Sequence, residues 1–217
     1  MVGNRRNGLK EPFNALSHML GAALSVAGLV SLILLTHGKP RQTIAVTIYG
    51  CTLIALYSLS TIYHSLHVSE AHQKILQRMD HVAIFLLISG TYTPICLITL
   101  YAAHGVALFI AVWSMALVGI LTVLLWHGHP HWIRVALYVI MGWLAVSALP
   151  ALKAALGTAG IAWLVAGGLA YTLGIVFYAM ETRRPKWCRL LTGHEIWHVF
   201  VLTGSICHYI LIHKFVV

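Results

Sequence analysis

Two histidines stand four residues apart in His194-Glu195-Ile196-Trp197-His198, near the end of the chain. On a helix that spacing puts both imidazoles on one face, where they can reach a single metal ion. A structural zinc site takes four protein ligands and a catalytic one typically three plus water, so a further ligand must come from another segment. His64, closing the run Ser60-Thr61-Ile62-Tyr63-His64, is the third candidate. Asp80 is an ionisable group at the edge of an apolar run, where it is costly unless paired or functional. Three neutral imidazoles leave the charge of a dication unanswered in a low-dielectric site, and Asp80, holding or activating the zinc water, offsets part of that cost. Ser60, one turn before His64, suits a supporting hydrogen bond behind the metal ligands.

These side chains need elements that bring them to one level. The chain has 217 residues, 59% of them hydrophobic and 9% charged, with a mean hydropathy of +0.85. That combination lies outside the range of soluble domains. Crossing a bilayer core takes about 20 apolar residues per helix, and the long continuous apolar runs here select helices over the alternating strands of a membrane barrel. The expected fold is all-α, a polytopic membrane protein with seven transmembrane helices. They are placed at Asn14 to Thr36, Ile44 to Leu66, Val82 to Leu100, Val106 to Trp126, Trp132 to Leu152, Ile161 to Met180 and His194 to Ile212. One domain covers residues 1–217, with 1–13 as a short cytoplasmic segment.

With a cytoplasmic N-terminus, Arg5, Arg6, Lys10, Lys74, Arg78, Arg134, Arg183, Arg184, Lys186 and Arg189 lie inside, against Lys39, Arg41, Lys153 and Lys214 outside. The excess of inside cations favours that orientation. It gathers Glu11, Glu70, Asp80, Glu181 and Glu195 on the cytoplasmic side, together with the end of helix 2, the opening of helix 3 at Asp80 and the start of helix 7.

The remaining polar residues are read more plainly. No short apolar core with a cleavage site precedes the first long run, so no removable signal peptide is expected. Scattered rather than clustered cations argue against nucleic acid as a partner. Cys51, Cys96 and Cys207 read as small core residues and Cys188 as a loop residue, with no disulfide spacing. His18, His81 and His208 read as packing residues, and His127, His129 and His131 as a solvated loop. Trp126, Trp132 and Trp187 suit the lipid interface, Gly167, Gly168 and Gly174 close helix packing, and Glu11 and Asn14 a bracing of helix 1 near the site. His194 to His198 also satisfies H-E-x-x-H, in which the glutamate is a general base. No acidic residue follows His198 to complete a protease site, which leaves Glu195 as either a base or a head-group-facing residue.

Ser60-x3-His64, Asp80, His194-x3-His198 and Glu11-x2-Asn14-x2-Ser17-His18, with the segments SLSTIYHSLH, DHVAIFLLISGTYTP and GHEIWHVFVLTGSICHY, closely resemble the progestin and adipoQ receptor family, above all its bacterial hemolysin III-like branch. The resemblance covers nearly the whole chain. It implies seven helices with a cytoplasmic N-terminus in a bacterial plasma membrane, zinc on His64, His194 and His198, and Asp80 beside the zinc water. It further implies a role in membrane-lipid homeostasis and, through the family's similarity to ceramidases, hydrolysis of a lipid amide. The rivals are a non-catalytic lipid sensor with structural zinc and a haemolytic pore. The pore finds no charged lining in these helices, and the lack of a long N-terminal region departs from the hormone-receptor branch.

Overall fold

The computed structural model describes residues 8–102, 104–126, 128, 130–180 and 191–217. Arg5, Arg6, His127, His129, Glu181, Arg183, Arg184, Lys186, Trp187, Cys188 and Arg189 lie outside them. The described chain is helical throughout: α1 Pro12–Leu35, α2 Pro40–Ser65, α3 Glu70–Pro94, α4 Gly105–Leu125, α5 His131–Trp143, α6 Leu149–Met180 and α7 Gly193–Leu211. A wider π turn, Ile95–Thr99, extends α3, another, Ile212–Val216, extends α7, and a 3₁₀ stretch, Leu144–Ala148, joins α5 to α6.

Local chemistry sets the starts of these helices. α1 and α2 each open on a proline, which supplies no N–H where none would be bonded. Ser69 caps α3 by accepting from the His72 amide, and Glu70 pairs with Lys74 one turn on at 2.7 Å. α3 therefore starts at Glu70, twelve residues before the Val82 expected from hydropathy. Hydropathy marks the edge of the hydrocarbon, whereas the polar first turns satisfy their own backbone and continue past it. Asp80 consequently sits within α3 rather than at its opening.

Six helical stretches among the described residues are long and apolar enough to cross a membrane, and one of them, His131–Ala179, runs for 49 residues. As a straight rod it would be about 74 Å long, over twice the hydrocarbon thickness. It is not straight. Gly157 has φ 65° and ψ −177°, a backbone conformation essentially restricted to glycine. Trp143 Nε1 donates to Thr172 Oγ1 at 3.1 Å, and the rings of His131 and Tyr178 stack at 5.6 Å. Both pairs straddle Gly157, so the chain doubles back there, inside the segment expected to connect two spans.

α1 packs on α2, α2 on α3, α3 on α4 and α6 on α7, and α1 also meets α7. Glycines permit the closest approaches: a Cβ on Gly90 would collide with Thr52 Oγ1, and one on Gly119 with the ring of Phe85. Gly167 and Gly174 likewise accommodate His208 and Trp197, whereas Gly168 has open space beside it. The outer faces carry Leu20, Leu34, Ile110 and Leu125, each more than half exposed, a surface that only lipid would solvate. Trp126 and Trp132 are exposed as expected of interface anchors. Cys96 and Cys207 are buried, but Cys51 lies on the exposed face of α2, contrary to its reading as a core residue.

Where the helical ladder changes pitch, a side chain takes over. Tyr92 Oη donates to the Gly142 carbonyl at 2.9 Å and accepts from the Ala145 amide at 2.8 Å, bridging the 3₁₀ stretch from α3. In hydrocarbon no water could serve those groups.

Gly157→Ala is expected to destabilise the fold by about 1–3 kcal/mol, through backbone strain alone since nothing lies within 4 Å of the added methyl. Gly142→Ala, helical and equally open, should leave the thermal midpoint in detergent unchanged or raised. Equal midpoints for Gly157→Ala and wild type would show that the reversal does not need the glycine conformation.

Candidate metal centre

His64 stands at the C-terminal end of α2, where the helix leaves carbonyls without intrahelical partners. The segment ahead of α1 fills two of them: the Lys10 amide donates to Ser65 O at 3.2 Å and the Glu11 amide to His64 O at 2.9 Å. The Glu11 carboxylate then closes on the same residue, its Oε2 lying 2.6 Å from His64 Nδ1 and 3.0 Å from Asn14 Nδ2. A carboxylate only accepts, so the proton is on Nδ1 and the lone pair on Nε2. The His64 hydrogen bond, aided by Lys10 at 3.0 Å and by Asn14, holds the Glu11 carboxyl well below the usual carboxylate range against the opposing effect of its partial burial. Glu11 thus clamps His64 from backbone and side chain together, a more direct role than bracing α1.

α7 supplies the other two imidazoles. Its start is fixed by a capping box: Thr192 Oγ1 accepts from the Glu195 amide at 3.2 Å, and Glu195 Oε2 accepts from the Thr192 amide at 2.6 Å. The glutamate of the H-E-x-x-H pattern is therefore engaged in holding the helix end. His194 and His198 follow on one face, their ring centroids 4.9 Å apart and respectively 5.1 and 4.7 Å from that of His64. One ligand nitrogen from each of the three lies within 4.8 Å of the others.

The donor set fits a metal ion. His64 Nε2, His194 Nε2 and His198 Nδ1 are enclosed and have no hydrogen-bond partner. Leaving a buried polar atom unsatisfied costs about 1–3 kcal/mol, and three converging lone pairs are what a cation would satisfy at once.

Further residues surround this cluster. Asp80 interacts with the Ser60 hydroxyl and lies in the electrostatic field of His64 and Arg134, while Ser60 itself is buried. The structure thereby brings Ser60, His64, Asp80, His194 and His198 together. His18, read from the sequence as a packing residue, is buried and stacks on His198 with centroids 3.8 Å apart, its edge against Tyr57 at 5.0 Å. The spacing Glu11, Asn14, His18 was the available signal, because i, i+3 and i+7 share a helix face. Arg134, counted from the sequence as a charge on the cytoplasmic side, is only 8% exposed. His81 contributes its carbonyl, which accepts from Tyr138 Oη at 2.8 Å and ties α5 to α3 beside Asp80. His131 opens α5 and stacks on Tyr178, whose ring in turn meets His194 at 5.5 Å.

The cluster faces a cavity of about 180 Å³ between α3, α5, α6 and α7, lined mostly by apolar side chains and reaching from Asp80 and His194 to Ile95 and His208. Fourteen or fifteen helical residues separate those ends, a depth of about 20 Å. Part-way down, Tyr57 Oη donates to Ser205 Oγ at 2.7 Å and Tyr171 Oη lies 2.8 Å from the same atom, joining α2, α6 and α7. His208 Nε2 is 3.3 Å from Leu164 O at the far end, and His208 is not part of the ligand cluster.

Replacing Glu11 by Ala should weaken binding of a divalent metal about 10- to 100-fold, the usual effect of losing a group that orients a ligating histidine, and Glu11→Gln should fall in between. Competition with a chromogenic chelator measures this, and unchanged affinity in Glu11→Ala would show that His64 holds its orientation unaided.

Residues 7–209 match the family model described as "Haemolysin-III related". The chain is 38% identical over 198 residues to "Hemolysin-3" of Bacillus cereus, covering 90% of this chain and 87% of that protein. It is 37% identical to "Hemolysin-3 homolog" of Bacillus subtilis (strain 168), covering 90% and 89%. "Monocyte to macrophage differentiation factor" of Homo sapiens is 28% identical over 178 residues, covering 80% of this chain and 71% of that protein. An all-helical bundle with lipid-facing apolar surfaces, matched over nearly its whole length, is an integral membrane protein belonging to the haemolysin-III-related family.

Proposed function

We propose that this protein is a zinc-dependent hydrolase of a long-chain lipid amide, acting in the homeostasis of a bacterial plasma membrane. The observation that carries the reading is the placement of three metal-competent imidazoles at one end of a deep apolar cavity. Three protein nitrogens with no fourth protein ligand among the described residues match catalytic rather than structural zinc, which argues against the sensor reading. The reversal at Gly157 within the longest apolar run supports a reading of seven spans in one domain, and the distribution of cations supports a cytoplasmic N-terminus.

When bound, zinc would polarise the amide carbonyl and lower the pKa of water towards about 7. The cavity walls hold the acyl chain and exclude water from its length. His64, locked by Glu11, and the two histidines of α7 fix the position of the ion. The Asp80 carboxylate, steadied by Ser60, accepts a proton from the attacking water and returns it to the departing amine nitrogen as the C–N bond breaks. Glu195 remains at the helix cap in this scheme.

Detergent-purified protein should carry about one zinc per chain, and removal by a chelator should lower its thermal midpoint, because a ligand bound only by the folded state at 100 times its Kd adds about 2.7 kcal/mol. A midpoint indifferent to chelator and to added zinc would sink the metal site. In assays on N-acyl amides, Asp80→Asn should lose at least about a hundredfold in rate while retaining zinc. Full activity in that variant would remove Asp80 from the chemistry, and zinc-stabilised protein that turns over no lipid would favour the sensor.

A further inference from the structure

His18 takes no part in the proposed hydrolysis, yet its ring lies against that of His198. It is 3% exposed, and both of its ring nitrogens are enclosed without a hydrogen-bond partner among the described residues. A neutral imidazole carries one N–H and one lone pair, so a sealed donor and a sealed acceptor stand open side by side. Buried polar groups left in this condition are rare, and each calls for a partner.

The neighbours do not supply one. Tyr57 meets His18 edge-on at 5.0 Å, but its hydroxyl is given to Ser205. Asn14, one turn earlier on α1, gives its amide to Glu11, and its Oδ1 makes no hydrogen bond. The His198 backbone lies near without the geometry of a hydrogen bond. The His198 ring is stacked at 3.8 Å with 29° between the planes, so the His18 nitrogens point past that ring rather than into it.

His18 is not a fourth ligand. Tetrahedral zinc with Zn–N bonds of about 2.1 Å puts its ligand nitrogens roughly 3.4 Å apart. The group whose ligand atoms converge within 4.8 Å is His64, His194 and His198, without His18. What His18 shares with that group is its open side, because His18, Ser60, Asp80, His194 and His198 all border the cavity. An ion held by three histidines has a position left there for a small ligand.

We infer that His18 is a positioning residue for the fourth ligand of the metal, holding a water or a small anion there through a ring N–H. The ionised Asp80 carboxylate only accepts from such a ligand, whereas an imidazole N–H donates to it, so the two fix its orientation from different helices. The stack on His198 ties the place of this donor to that of a metal-binding ring. The inference rests on the reading of the three histidines as a metal centre, but it requires no lipid turnover.

The test uses the full-length protein in detergent, loaded with cobalt(II), whose visible bands report its coordination. The probe is azide, an anion that only accepts hydrogen bonds. Wild type should bind azide with a change in the cobalt bands. His18→Phe keeps a flat ring for the stack and removes both nitrogens. It should bind azide about 10- to 100-fold more weakly, the usual loss for a hydrogen bond to a charged group, with cobalt affinity nearly unchanged. His18→Leu makes the same prediction without the ring, so the outcome does not hang on one variant folding. His18→Gln, which returns a donor, should recover part of the azide affinity. Azide affinity in His18→Phe or His18→Leu equal to that of wild type overturns the proposal and leaves His18 a packing residue. A loss of cobalt affinity as large as that of azide assigns His18 to holding His198 and overturns it as well, as does cobalt-loaded wild type that binds no azide. Wild type that takes up no cobalt overturns the metal centre itself, a failure distinct from the others.

Discussion

Three enclosed imidazole nitrogens without a hydrogen-bond partner converge where one cation could satisfy them together, and the surrounding architecture keeps them facing one another. Two helix ends do this. α2 terminates at His64 and α7 begins at His194, so the ligands sit where helices leave backbone groups open. Each end is closed from outside its own helical ladder, by the Lys10-Glu11 backbone for α2 and by the Thr192-Glu195 capping box for α7. The caps stabilise the helices and set the imidazole positions in the same stroke. α1 enters through this arrangement too, since Glu11 immediately precedes it and His18 stacks on His198.

Lipid as solvent accounts for the shape around this centre. Apolar burial gives little drive for helices to associate in hydrocarbon, so contact depends on close packing and on polar groups that find partners only across the interface. Gly90 against Thr52 and Gly119 against Phe85 bring α2, α3 and α4 together. Tyr57, Ser205 and Tyr171 link α2, α6 and α7 through one shared hydroxyl. α5 lacks such extensive packing and is held by a few specific bonds, from Tyr138 to the His81 carbonyl of α3, from Tyr92 of α3 to the Gly142 carbonyl, and from Trp143 to α6. The cavity occupies the space that this sparsely held helix leaves between α3, α6 and α7.

The all-helical membrane fold was legible because continuous apolar runs and proline or glycine punctuation are local signals. His64, His194 and His198 were legible for a related reason: an i, i+4 pair needs only a helix, and the alternation of spans brings the end of helix 2 to the start of helix 7. The start of α3 was missed because hydropathy reports where hydrocarbon ends, while Ser69 and Glu70 carry the helix on through polar residues. Arg134 was read as a charge on the cytoplasmic side, and what that reading missed is the burial of its side chain. In a soluble protein the apolar face of a helix points to the core, but in a bilayer lipid and bundle interior are both apolar, so a polar stripe such as Arg134 and Tyr138 on α5 does not by itself say whether it turns to the head groups or inward. A charge one turn from a helix end then reads as interfacial, and only packing against His81 and Tyr178 turns it inward. His18 was hidden likewise, its face shared with Glu11 and Asn14 but its contact made across the bundle.

Charge balance connects the two ends of the functional reading. Glu11 is answered by Lys10 in a direct pair, and Asp80 is answered at longer range by Arg134, so these four side chains sum to no net charge. A dication on the histidines would leave the loaded centre doubly positive in a medium that screens charge poorly. Such a centre favours a ligand that arrives with, or acquires, negative charge. Under the proposed hydrolysis of an amide the latter would hold, a neutral acyl group becoming a carboxylate. On this scheme the centre binds its acid product more tightly than its neutral substrate, so departure of the acid, rather than cleavage of the amide, is the step that the same electrostatics slow.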